Sequence, residues 1–280
     1  PGDDVFLGKA KPGKITFEVA GIRECIVAPP GRKIVGADLG QAELRLLGAL
    51  CGDKRLISLC VHADEARKYE PEHDPHAYVS AIAFGDGYIN ADNKVRAALR
   101  DLEKRVIYGS FYGAGSETIL NSIYDGGYEG APIDIATVET ILAAIFKAFP
   151  AVRPWREREL NEAKRTGRVT DALIGRRREF PLLMIDATVV YNYKLQSSCA
   201  SMIALSMLEL AHQLPSVDPT AVIIAQVHDA IYVECDESKA DKVAALLERC
   251  MSQKLQLVAG AEPMPFPAKA KIGNDWCEIG

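Results

Sequence analysis

Two acidic side chains stand where a folded chain would place chemistry. Asp38 ends the apolar run Lys33-Ile34-Val35-Gly36-Ala37, which reads as a buried strand. The stretch from Gln41 to Leu50 that follows reads as an amphipathic helix with Leu44, Leu47 and Leu50 on one face. Asp38 therefore sits where a strand gives way to a helix. Asp229 follows His228 between the apolar runs Val222 to Val227 and Ala230 to Glu234, which read as a hairpin. Two-residue hairpin turns favour Asn-Gly, Asp-Gly or Gly-X, so His-Asp is a poor turn in conformational terms. By position alone each aspartate keeps a structural alternative, Asp38 as a helix cap and Asp229 as an ordinary turn residue. Two carboxylates from distant segments are also what a two-magnesium phosphoryl-transfer site requires. Mg²⁺ takes one or two protein carboxylates and completes its shell with water and substrate phosphates.

A second group of residues has spacing rather than isolation as its signal. Arg100, Lys104, Tyr108 and Tyr112 advance in steps of four, which keeps them on one slowly drifting stripe of a helix. Cations can hold a triphosphate and aromatic rings can stack on a base or sugar. The competing reading is an amphipathic helix that packs its tyrosines into a core. Gly109 and Gly113 favour a surface that something approaches closely, because glycine otherwise weakens a helix.

The elements that must position these residues can be read from punctuation. Asp74-Pro75 starts a helix, with Asp74 as N-cap and Pro75 in the first turn, and it ends near Phe84-Gly85. Further helices are expected from about Asn93 to Ile107, Ile135 to Phe149, Arg153 to Arg165, Tyr193 to Leu214 and Glu237 to Leu257. Val169 to Ile174 and the arginine-rich stretch after Gly175 read as another hairpin, and the stretch up to Gly31 as extended strands and turns.

With 280 residues, 48% of them hydrophobic, the chain can bury a substantial core as one large or two intimate domains. Its seven cysteines form no C-x-x-C pair, which points to reduced thiols in a cytoplasmic protein. No apolar run reaches the roughly 18 to 20 residues of a membrane helix. The net charge of −5 argues weakly against nucleic acid, whose sequence-independent binding depends on Lys and Arg. Between Arg153 and Arg178, however, basic residues outnumber acidic ones about two to one. A local cationic track can coexist with an acidic whole. A solvated helix face with internal ion pairs is the plainer account of the same residues.

Taken in order, these segments resemble the family A DNA polymerases. Asp38-Leu39-Gly40-Gln41-Ala42-Glu43-Leu44-Arg45 is similar to motif A, and Arg100-x3-Lys104-x3-Tyr108-x3-Tyr112-Gly113 to the fingers helix of motif B. Gln226-Val227-His228-Asp229 is similar to motif C. Gly175-Arg176-Arg177-Arg178, Asn192-x3-Gln196, Asp74-Pro75-His76 and Asn274-Asp275-Trp276 match further segments between residues 23 and 277. The resemblance implies that Asp38 and Asp229, with the Leu39 carbonyl, hold two Mg²⁺ ions. It places His76, Arg100 and Lys104 on the triphosphate, Lys104 also assisting the leaving pyrophosphate. Gln41, Tyr108 and Tyr112 would meet the incoming nucleotide. Glu43, hydrogen-bonded to Tyr112, would exclude a ribose 2′-hydroxyl. Arg45, Asn192, Gln196 and His228 would touch primer-template DNA, and Arg176 and Arg177 would follow its phosphates.

The expected architecture is α+β: a polymerase palm of antiparallel sheet backed by helices in residues 1–60 and 186–280, and helical fingers in 61–185. The expected partners are primer-template DNA and deoxynucleoside triphosphates, with no membrane. This sequence departs from the family pattern in motif A, with Leu39, Gly40 and Ala42 for Tyr, Ser and Ile. Ala230 stands where a second carboxylate is usual, Thr188 stands for an arginine, and the segment at Asn192 lacks a proline. Only about 37 residues precede Asp38, so a thumb and exonuclease are expected on a longer chain or a separate polypeptide. Two other functions remain open at this point: a non-catalytic DNA-binding scaffold derived from a polymerase, and a single-subunit RNA polymerase.

Overall fold

The structure is a computed structural model that describes residues 21–128, 130–181 and 184–279. The strands and turns expected in residues 1–20 lie outside the described residues. A short 3₁₀ turn at Ile22–Cys25 leads into strand β1 (Arg32–Leu39) and helices α1 (Ala42–Cys51), α2 (Lys54–Val61), α3 (Pro75–Phe84) and α4 (Asp86–Ile89). Helices α5 (Asn93–Phe111), α6 (Ser116–Asp125), α7 (Ile135–Ala148) and α8 (Val152–Thr166) follow. The hairpin β2 (Arg168–Thr170) and β3 (Arg177–Glu179) precedes the long helix α9 (Ala187–Val217). After it come β4 (Val222–Val227), β5 (Ala230–Asp236) and α10 (Ala240–Met251). The chain closes with β6 (Gln253–Leu255), β7 (Met264–Phe266), β8 (Ala268–Gly273) and α11 (Trp276–Ile279). The fold is α+β, as the sequence predicts.

Two compact units divide these elements. Unit 1 comprises residues 1–40, 203–253 and 267–280, and unit 2 comprises 41–202 and 254–266.

Unit 1 is built on an antiparallel sheet of order β4-β5-β1-β8. Alternation along β1 sends Val35, Ala37 and Leu39 to one face, where all three are buried. Helix α10 covers that face, supplying Val243, Leu246, Leu247 and Met251. Burying such side chains contributes roughly 1.5–3 kcal/mol each. The opposite face carries Gly36 and Asp38, flanked on β5 by Tyr232 and Ala230 and on β8 by Lys271 and Lys269. Gly36 is required there because an added Cβ would lie 2.8 Å from the Tyr232 ring. That ring in turn meets Trp276 at 4.9 Å between centroids. Ile279 joins Ile34, Ala230 and Tyr232 in the same cluster. Asp218 is wholly buried and accepts from the backbone N–H groups of Thr220 and Asp236, locking the turn that enters β4. Burial opposes its ionisation, but these hydrogen bonds and Lys239 prevail and hold its carboxyl down at about 2.

Unit 2 is mostly helical. Its helix starts follow the rules that made some of them legible: Asp53, Asp74, Asp92 and Asp134 each accept from backbone N–H groups at an N-terminus. Buried Asp53 also accepts from Ala151 N–H at 3.1 Å, which ties the start of α2 to the segment before α8. Helix α5 contacts α3, α6 and α7 through its apolar side, which includes Leu102, Val106, Ile107 and Phe111. In the loop after β2, buried Asp171 accepts from the backbone N–H groups of Leu173, Ile174 and Gly175 and from Ser201 Oγ at 2.6 Å. That loop delivers Arg176 to Arg178 to the surface.

Several expected bounds are corrected. Helix α5 runs to Phe111 and α9 begins at Ala187, whereas α10 ends at Met251 because β6 follows. Helices α2, α4, α6 and α11 and strands β6, β7 and β8 are additional. None of the single helices among the described residues is long and apolar enough to cross a membrane.

Candidate active site

In unit 1 the two aspartates line one cavity of about 220 Å³, together with His228, Arg23, Lys269 and Lys271. Asp38 is exposed at the end of β1, directly opposite Ala230 on one side and Lys269 on the other. Asp229 is half-buried in the β4–β5 turn. Burial raises its pKa, and the nearby charge of Asp38 raises it further, against its own backbone hydrogen bonding and His228. The turn is strained in a telling place. His228 has φ 52°, and only Gln41 (φ 55°) shares this left-handed conformation among the described non-glycine residues. Positive φ at the first turn position alone is the pattern of a II′ turn, where glycine is the usual occupant. Gln226 Nε2 donates to the His228 carbonyl at 2.6 Å and braces the turn. A histidine held at a glycine position costs on the order of 1 kcal/mol or more, and such strain clusters at functional sites.

The oxygen donors fit a divalent ion. Two carboxylates in one solvent-open cavity, each repelling the other, match the one or two protein carboxylates that Mg²⁺ takes. No cluster of three or more His, Cys, Asp or Glu side chains with metal-site geometry occurs among the described residues, consistent with Ala230 at the neighbouring position.

In unit 2 the α5 stripe forms, and its members have different surroundings. Lys104 is exposed and makes no ion pair among the described residues. Arg100 grips Asp74 with Nε to Oδ1 at 2.9 Å and Nη2 to Oδ2 at 2.7 Å. Burial opposes ionisation of Asp74, but Arg100 and His76 outweigh it and hold the carboxyl below its usual range. Gln41 Nε2 donates to the same carboxylate at 3.4 Å. Tyr108 lies edge-on to Phe111 at 5.7 Å. Tyr112 donates to Glu43 Oε1 at 2.7 Å, and Gln196 Nε2 donates to Tyr112 Oη at 2.9 Å and to Glu43 at 3.2 Å. Burial, then the bond to Glu43, raises the Tyr112 pKa, so this hydroxyl stays a donor.

Two expectations are altered by this geometry. Arg45 is only 5% exposed, with Nη1 donating to the carbonyls of Cys60 and Pro265 at 3.1 and 2.9 Å. It braces unit 2 and offers DNA no open guanidinium in this arrangement. His76 has no exposed surface, and its Nδ1 lies 2.7 Å from Glu103 Oε2, also fully buried. Nothing in the stripe pattern flags Glu103, because it falls one position before Lys104 and faces inward.

The remaining candidates gather in a second open cavity of unit 2. Arg176, Asn192 and Gln196 line about 600 Å³ with Arg178 and Thr188. Arg177 is exposed beside Glu179 at 3.7 Å. No motif singles out the two lysines that β8 adds to the cavity of the aspartates, although Ala268-Lys269-Ala270-Lys271-Ile272 alternates with the period of a half-buried strand.

The sequence matches the model of DNA polymerase family A over residues 14–278. The chain belongs to DNA polymerase family A. Its relatives include a thermostable DNA polymerase I of Thermus filiformis, 29% identical over 92% of this chain and 28% of the relative. The DNA polymerase of Mycobacterium phage D29 is 27% identical over 86% of this chain and 35% of its own length. The chain thus spans about a third or less of these relatives. The fold matches the POL domain of Pol1 from M. smegmatis, solved in complex with DNA primer-template and dNTP. The TM-score is 0.68 at 21% identity, covering 92% of this chain and 42% of the other.

Proposed function

We propose that the chain is the nucleotidyl-transfer part of a DNA polymerase, adding deoxynucleotides to a primer 3′-hydroxyl as a template directs and releasing pyrophosphate. The observation that carries this reading is the pair Asp38 and Asp229 in one cavity of unit 1, beside a turn strained at His228. Two divalent ions held by these carboxylates and the Leu39 carbonyl would lower the pKa of the attacking hydroxyl and neutralise the leaving pyrophosphate. Lys104 and Arg100 bind the triphosphate, and Lys104, whose ammonium makes no ion pair among the described residues, donates to the departing phosphate oxygen. Tyr108 packs on the sugar and base. Glu43, fixed by Tyr112 and Gln196, fills the space beside the sugar C2′. Arg176, Asn192 and Gln196 serve the DNA. Positioning and charge neutralisation supply most of the rate. In this reading the unit 1 sheet is palm and residues 61–185 are fingers.

Magnesium-dependent extension of a labelled primer tests it, with dNTPs and rNTPs in parallel. Extension with dNTPs at least about 100-fold more efficient than with rNTPs is expected, a difference of about 2.7 kcal/mol at the sugar gate. Equal use of both would remove the gate from Glu43. DNA binding without any extension would favour the scaffold reading. The Tyr108 hydroxyl can stand in for the contact of a missing nucleotide 3′-hydroxyl. Dideoxynucleotides are therefore expected to be used readily, and Tyr108→Phe to discriminate against them. Equal discrimination by both proteins would sink that role.

A further inference from the structure

Lys269 and Lys271 occupy alternate positions of β8, on the sheet face that carries Asp38. Lys269 lies directly across from Asp38, and Lys271 directly across from Gly36, so the two side chains leave the strand about 7 Å apart. Both are exposed, both line the cavity of the two aspartates, and neither makes an ion pair among the described residues. A lysine placed merely to neutralise Asp38 would bridge to it. Here the carboxylates stay available for cations while the lysines stay available for an anion.

We infer that Lys269 and Lys271 bind consecutive phosphates of the primer strand as it approaches Asp38 and Asp229. This rests on the polymerase reading above and names a contact within it. The physical need is direct. A polyanion must bring its end to two carboxylates that already repel each other, and flanking cations offset that repulsion. A row of charges along a strand suits a polymer with one charge per nucleotide. A triphosphate is compact, and its cations are Arg100 and Lys104. Arg23, stacked over Trp276 at 5.6 Å, continues the cationic lining at the Tyr232 side of the cavity.

Fluorescence anisotropy of a labelled primer-template, titrated with the full chain in EDTA across a salt series, tests the assignment without metal and without catalysis. The slope of log affinity against log salt is expected to become shallower by about 1 in Lys269→Ala and in Lys271→Ala, and by about 2 in the double variant. Near 0.1 M salt each substitution weakens binding about five- to tenfold. Lys242→Ala removes the same charge from α10, which covers the other face of the sheet, and keeps the wild-type slope. Circular dichroism confirms that all variants are folded. An unchanged slope in the double variant, an equal loss in Lys242→Ala, or absence of salt-dependent binding by the wild type overturns the proposal. So does an effect confined to the KM for dNTP, which would move the lysines to the triphosphate. Absence of extension by the wild type, with binding behaviour as described, would instead count against the polymerase reading.

Discussion

Asp229→Ala is expected to reduce primer extension by at least about 10³-fold, a loss of about 4 kcal/mol in transition-state stabilisation, and to leave the fold intact. The two halves of that expectation have separate causes. Asp229 holds a position at the tip of the β4–β5 turn, half-buried, and is not one of the buried core residues among those described. Its carboxylate is a liability in the metal-free protein, because burial and the neighbouring charge of Asp38 both work against ionisation. Removing it relieves that repulsion, so the Tm in EDTA should equal or exceed the wild-type value. Mg²⁺ or Mn²⁺ should raise the Tm of the wild type by linkage and leave Asp229→Ala unmoved. Asp229→Asn should behave alike, since the amide preserves shape but supplies no charge. Extension within tenfold of the wild type would remove Asp229 from the chemistry. An undiminished Tm response to the ions would remove it from their binding.

The contrast between the two aspartates and the residues around them explains what the sequence made legible. Asp38 and Asp229 fall at breaks in strong patterns, a strand becoming a helix and a turn without its glycine, so local rules single them out. The order of the motifs then favours the proposed ligand role over the cap or turn role that each position alone leaves open. The α5 stripe was readable for a similar reason, as four residues on one helical face. Register between distant strands is not a local property. Only the pairing of β1 with β8 brings Lys269 beside Asp38, across more than 200 residues of chain. Arg45 shows the same limit from the other side. Its place in motif A is plain, yet whether its guanidinium meets DNA or the carbonyls of Cys60 and Pro265 depends on how α1 packs. Strand β8 is short and charged on alternate positions, and α2 is a two-turn helix whose chief signal is one Asp cap. Such elements are stabilised by tertiary contacts more than by propensity.

Glu103→Ala should cost about 3–5 kcal/mol of stability. Glu103 and His76 are both wholly buried, and their hydrogen bond at 2.7 Å joins α5 to α3. Truncation strands the His76 Nδ1 in a dry site where Nε2 already lacks a partner among the described residues, and it leaves a cavity as well. Glu103→Gln keeps the volume and an acceptor, and should cost only about 1–2 kcal/mol. The double variant His76→Leu with Glu103→Leu should recover most of the loss, because apolar residues of similar volume replace a buried pair at little cost. Urea unfolding of the wild type, His76→Leu, Glu103→Leu and the double variant measures the coupling. Additive single and double effects would show that the pair does not act as a unit.

The pH dependence has a definite sign. Burial raises the Glu103 pKa, with His76 pulling it back, while Asp74 at the N-cap of α3 and Arg100 on α5 complete its charged surroundings. A carboxyl with a raised folded pKa contributes stability that is complete below its unfolded value, near 4.3, and is lost as the pH rises through the folded value. The stability of the wild type relative to Glu103→Gln should therefore be greatest below about pH 4.3 and decline above it. The same variants decide what His76 does for the nucleotide. A triphosphate contact requires its ring to leave Glu103, in which case the double leucine variant raises the dNTP KM about tenfold or more. A brace requires the ring to stay, and then that KM is unchanged while the stability differences persist.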